Sequence, residues 1–183
     1  MYPRPNLTPL FQALLVVLLL AQGSAAASSR NGRGWALGGT QSVKGVGVCM
    51  DFDHERGAFH SFDFTADLID ILDGRASTPG LKLCFRHNIV FKDWEEGRYA
   101  CYAGPGLMAG YVRDMNNHFG FAGGLSTDLG FSFRTARGVT LALEWQADFA
   151  LQFKNRYRPN MSLYEAGYRH SYYPHLRILY HFK

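Results

Sequence analysis

Residues 139–154, VTLALEWQADFALQFK, alternate for sixteen positions without a miss. Val139, Leu141, Leu143, Trp145, Ala147, Phe149, Leu151 and Phe153 form one set. Thr140, Ala142, Glu144, Gln146, Asp148, Ala150, Gln152 and Lys154, small or polar, form the other. Side chains change face at every residue only in an extended strand, so this stretch is a strand with one apolar face. At about 3.3 Å per residue it reaches roughly 50 Å, against about 5–6 residues for an ordinary strand.

The same period runs through most of the chain. VKGVGVCMDFD sets Val46, Val48, Met50 and Phe52 against Gly45, Gly47, Cys49, Asp51 and Asp53. AFHSFDFTADL sets Phe62, Phe64, Ala66 and Leu68 against Asp63, Thr65 and Asp67. LKLCFRHNIVF sets Leu81, Leu83, Phe85, Ile89 and Phe91 against Lys82, Cys84, Arg86 and Asn88. In YACYAGPGLMAGYVR both faces carry apolar residues, and Pro105 suggests a bulge. FGFAGGLSTDLGFSFR opposes Phe121, Leu125, Leu129, Phe131 and Phe133 to glycines, Ser126, Asp128 and Ser132.

The segments are divided by HERG, DGRASTPG, KDWEEGR, DMNN and TARG, all of turn composition. Residues 155–172 read as a longer loop before the closing segment PHLRILYHFK. With WALGGTQ (35–41) as the first strand, the count is eight up-and-down neighbours. Long antiparallel strands expose edges that invite aggregation, and closing the sheet on itself removes them. The expected fold is therefore all-β, an eight-stranded antiparallel up-and-down barrel.

Alternation alone does not say which face is inside. The polar face is rich in Gly45, Gly47, Gly120, Ala122, Gly124, Gly130, Ala142 and Ala150. A water-exposed face has no use for so little volume, whereas the lumen of an eight-stranded barrel has little room to spare. The same face carries Asp51, Asp53, Asp63, Asp67, Asp128, Glu144 and Asp148 with Lys82, Arg86, Arg134 and Lys154. Opposite charges in a narrow lumen form a hydrogen-bonded plug. We therefore expect a transmembrane barrel, with Asp51, Asp63, Asp67, Lys82, Arg86, Asp128, Glu144 and Asp148 as a lumen salt-bridge network and the Phe/Leu face toward lipid.

The N-terminus supports export. Arg4, the apolar run LFQALLVVLLLA and the small residues QGSAAASS read as a signal peptide spanning 1–27, then a leader (28–34) and the barrel domain (35–183). The run is short for a spanning helix, which needs about 20 apolar residues. Without Arg4 the chain keeps 18 Lys and Arg against 15 acids, too even a balance to suggest nucleic acid. Cys49, Cys84 and Cys101 are odd in number and match no zinc spacing, so they read as packing residues with one bridge possible.

The export signal, the alternating strands and the closing segment HLRILYHF together resemble the small eight-stranded outer-membrane barrels of Gram-negative bacteria, the OmpA transmembrane domain and OmpX. The resemblance covers nearly the whole mature chain and is one of pattern. It implies an outer-membrane location and a C-terminal strand read by the barrel-insertion machinery, with Leu176, Ile178, Tyr180 and Phe182 alternating. Lys183 after Phe182 departs from the usual aromatic end. With both termini periplasmic, HERG, KDWEEG and TARG are periplasmic turns, and DGRASTPG, DMNN and 155–172 face outside.

Chemistry is sparse. Small outer-membrane barrels include enzymes, and nucleophilic hydrolysis needs a Ser beside a His base; His60-Ser61 and His170-Ser171 are the close pairs. Neighbours on a strand point to opposite faces, which parts the first pair, and no acid lies near the second in sequence apart from Glu165. His54, His87, His118, His175 and His181 lie near strand ends or turns, suiting interfacial or solvent roles, and no metal motif is present. GPGLMAG is not a dinucleotide loop, because its last glycine is misplaced. No catalytic residue, cofactor or metal site is expected. The loop 155–172 gathers Arg156, Arg158, Tyr164, Tyr168 and Arg169, a mixture suited to lipopolysaccharide phosphates or a partner surface. The alternatives are a lipid A-modifying enzyme, which needs His, Ser and an acid converging at one rim, and a secreted lipocalin-like carrier, which needs the Phe/Leu face inside.

Overall fold

A computed structural model describes residues 34–182 except 56, 75–76, 96, 114–118, 157 and 165–171. The expected signal peptide and nearly all of the leader lie outside the described residues. The alternating segments form strands β1 (Trp35–Ser42), β2 (Gly45–Glu55), β3 (Ala58–Asp67), β4 (Gly80–Trp94), β5 (Tyr99–Arg113), β6 (Phe119–Arg134), β7 (Val139–Arg156), β8 (Arg158–Tyr164) and β9 (Tyr172–Phe182). One helical turn, Ile69–Leu72, sits between β3 and β4.

Each strand pairs antiparallel with its predecessor up to β7; β9 then pairs with both β7 and β1 and closes the ring. The closed ring is thus eight strands, β1–β7 with β9. The short first strand is a full member, bonded along Trp35–Gln41 to β2 and along Trp35–Ser42 to β9. The register gives the stagger of the barrel. A row runs Ala36, Asp51, Ser61, Arg86, Gly106, Ser126, Asp148. Asp148 lies four residues beyond Glu144, whose row passes through His175 to Ser42, and Ser42 lies six beyond Ala36. A stagger of ten residues over eight strands tilts them by roughly 40°.

Two expectations of the sequence change. Residues 155–164 are not loop: β7 runs on to Arg156 and folds back into β8, which pairs Arg158–Tyr164 with Ala150–Arg156. The alternation of β7 simply outlasts the wall that β9 provides, and the excess finds a partner in the chain that follows it. Pro105 makes no bulge either, since β5 keeps one register against β6 throughout. The shift lies in β4, between Val90 and Lys92. Pro105 is exposed on the outer wall, and the bulge bends the strand near its end instead.

At the end where β1 begins and β9 finishes, β2 passes to β3, β4 to β5 and β6 to β7 through short connections. Gly57 and Gly138 take φ of 88° and 80°, which residues with a Cβ rarely adopt. Thr135 closes the last turn, accepting the Val139 amide on its hydroxyl at 3.1 Å. Apart from the 43–44 turn between β1 and β2, the opposite end carries longer connections, such as the one after β3 that holds the helical turn Ile69–Leu72.

Candidate functional site

The interior is polar and the exterior apolar. The largest fully buried side chains are headed by Arg86, Arg177, Tyr102 and Lys82, while Leu107, Phe121, Leu125, Leu129, Trp145 and Phe149 are half exposed or more. A water-soluble barrel carries the opposite arrangement. Parity sets this directly: the residues predicted to share the small and polar face are the ones that turn inward.

Near the termini Phe59 packs edge-on against Tyr102, ring centroids 4.9 Å apart, and closes that end of the lumen. Above them sits an ionic cluster. Arg177 donates to Asp51 at 2.6 Å, to Glu144 at 2.6 Å and to Asp63 at 3.2 Å. Arg86 pairs with Asp63, approaches Asp128 at 2.9 Å and lies 3.6 Å from Glu144. The Tyr102 hydroxyl donates to Glu144 at 2.6 Å. Two guanidiniums thus hold four carboxylates, all of them buried.

Four residues further along β7 lies a second cluster. Lys82 donates to Asp148 at 2.8 Å and to the Tyr173 hydroxyl at 2.5 Å. Ser126 and Gln146 donate to the other Asp148 oxygen at 2.7 and 2.8 Å. Beyond it, Cys84, Met108, Val112, Ala122 and Ala150 form an apolar layer. Gln152 donates to the Val112 carbonyl at 2.9 Å next to them. Successive layers of side chains therefore fill the lumen.

Glycine makes room for this filling. A Cβ at Gly130 would run into the ring of Tyr102, and one at Gly106 into the stem of Arg86. The small residues of the polar face are the counterpart of the large ones opposite them.

Of the network expected from the sequence, Asp51, Asp63, Arg86, Asp128 and Glu144 meet in the first cluster and Lys82 and Asp148 in the second. Asp67 lies half-buried opposite Gly80 toward the far rim, close enough to Tyr173 of the second cluster to act on it electrostatically. Arg177, Tyr102, Tyr173, Gln146 and Ser126 were missing from that expectation. Arg177 was legible by parity, lying between outward Leu176 and Ile178. Arg156 and Arg158 are register partners where β7 meets β8, and Tyr164 pairs with Ala150. Tyr168 and Arg169 lie outside the described residues.

The outer wall carries aromatic side chains at both margins. Near the termini Trp35 stacks on Phe182 at 4.1 Å, and Tyr99 lies 5.1 Å from Phe133. At the other margin Tyr111 stacks on Phe119 at 5.3 Å. Basic side chains lie over these rings, Arg98 above Phe133 at 5.2 Å and Arg113 above Phe119 at 4.4 Å. Cys49, Cys84 and Cys101 are free thiols, so the possible bridge does not form. His60 and Ser61 point to opposite sides of the wall: Ser61 is buried and accepts from Asn88 at 2.8 Å, while His60 lies outside against Phe85. His170 and Ser171 lie outside the described residues.

A closed ring with a charged, filled lumen and an apolar outer wall defines a barrel of inverted polarity. Comparisons with protein-family models, with curated proteins and with solved structures each find no match to the chain.

Proposed function

We propose that the chain is a non-enzymatic outer-membrane β-barrel with a plugged lumen, serving a structural or surface-interaction role. One observation carries this reading: buried Arg86, Arg177 and Lys82 lie behind an outer wall of exposed Phe, Leu and Trp. At a tilt of roughly 40°, about ten residues of a strand rise roughly 25 Å, the height of the apolar band of outer-membrane barrels, and the longer strands project beyond it. Aromatic margins with basic residues over them suit the two interfaces of such a band.

The filled lumen argues against passage of solutes, and the Phe/Leu face on the outside argues against a lipocalin-like carrier. In this reading the termini are periplasmic and the longer connections face outward. Arg156, Arg158, Tyr164, Tyr168 and Arg169 then meet lipopolysaccharide or an extracellular partner, and the strand ending at Phe182 is offered to the insertion machinery.

Heat-modifiability tests the location and the fold together. Membranes of expressing cells are extracted in detergent and run on a gel with and without boiling. A faster unboiled band in the outer-membrane fraction is expected. A soluble periplasmic or secreted protein without a shift would overturn the proposal.

A further inference from the structure

His60 of β3 and His87 of β4 are register partners on the outer wall, with Nδ1 atoms 3.3 Å apart. The sequence suggested strand ends or turns for His87, but it lies in the body of β4. Phe85 stacks on His60 at 5.5 Å and 18°, which restrains that ring. Two imidazole nitrogens on one tetrahedral ion at about 2.0–2.1 Å stand about 3.3 Å apart, the separation found here. We propose that His60 and His87 form a two-imidazole site for a divalent first-row transition ion, zinc being the reference case.

The sheet supplies the preorganisation. Register partners on one face keep their side chains together without further ordering, so little conformational freedom is lost on binding. Imidazole is the side chain that zinc, copper and nickel favour. Among the described residues, the neighbours on that face along the strands and across β2 are Ala58, Phe62, Phe85, Ile89 and Phe52, none of them a ligand. Among the described residues the pair contributes two positions, and the remaining ones open away from the wall. Under the membrane proposal the open positions face the lipid side of the wall, so the site is titrated on detergent-solubilised protein, where water reaches them.

The test is zinc titration of the purified, folded, full-length mature protein by calorimetry, in parallel with His60→Ala and His87→Ala. Band mobility without boiling, or the near-ultraviolet dichroism should no shift exist, checks that each variant folds. The wild type is expected to bind zinc at the pair, and each folded variant to lose about tenfold or more in affinity. Cobalt substituted for zinc should give visible bands in the wild type that fade in both variants. Zinc affinity unchanged in both variants would assign binding to other histidines and overturn the site. Absence of zinc binding by the wild type would equally overturn it, leaving the pair as a hydrogen bond between two rings.

Discussion

Arg177 of β9 and Asp51 of β2 meet at 2.6 Å across the lumen, with β1 between their strands. The other arm of the same guanidinium holds Glu144 of β7 at 2.6 Å. One side chain thereby ties together strands from both sides of the seam where the chain's ends close the ring. A planar fork suits this work, because its donors reach several carboxylates at once, as a lysine ammonium does not.

Replacing Arg177 by Met should cost about 3–5 kcal/mol, since it leaves Asp51 buried without its cation and takes from Glu144 the nearer of its two. The midpoint of urea unfolding, followed by gel mobility, should fall accordingly. Adding Glu144→Gln should restore part of the loss, because the two sites share one interaction. A single variant as stable as the wild type would show that the cluster contributes nothing to holding the seam.

Gly130 and Tyr102 form a matched pair, the ring occupying the space a side chain at 130 would fill. Gly130→Leu should therefore destabilise by about 1–3 kcal/mol by forcing the ring off Glu144. In a Tyr102→Ala background the same substitution enters a cavity, and its cost should shrink or change sign. Equal penalties in both backgrounds would mean that the two positions do not compete for volume.

The face of each strand was legible because parity is a local property, and one miscounted residue would have turned Asp63 or Glu144 outward. The partners of those acids were harder to read. Arg177 belongs to a segment dominated by outward apolar and aromatic residues, although parity also places it inside. Tyr102 sits in the strand whose two faces are both apolar, so alternation there carried little signal. That Lys82 and Asp148 separate from the Arg86 cluster depends on the stagger of ten residues, which emerges only when the ring closes. Residues 155–164 lack a clear period, and their strand exists because β7 outruns β9.

The three thiols give a direct check on which face is inside. Cys49 and Cys84 are buried in the lumen, and Cys101 is partly exposed on the outer wall. Folded protein should react at Cys101 alone with a small membrane-permeant maleimide, read by mass spectrometry, and all three should react after unfolding. Rapid native labelling of Cys49 or Cys84 would contradict a filled lumen.

Leu129 stands half exposed in the middle of the outer wall, register partner of Trp145 and Ala103. If that wall faces lipid, Leu129→Arg should weaken folding into phospholipid vesicles by about 2–4 kcal/mol, the cost of a guanidinium near the bilayer midplane. If it faces water, the substitution should stay within about 0.5 kcal/mol, as for an ordinary surface site. Arg113 provides the contrast, since it already lies over the marginal ring of Phe119 and its replacement by Leu should change little. A steep penalty at 129 beside a shallow one at 113 follows only from a depth-dependent apolar medium. Equal small effects at both positions would return the outer wall to water, with its exposed Phe and Leu residues awaiting another cover.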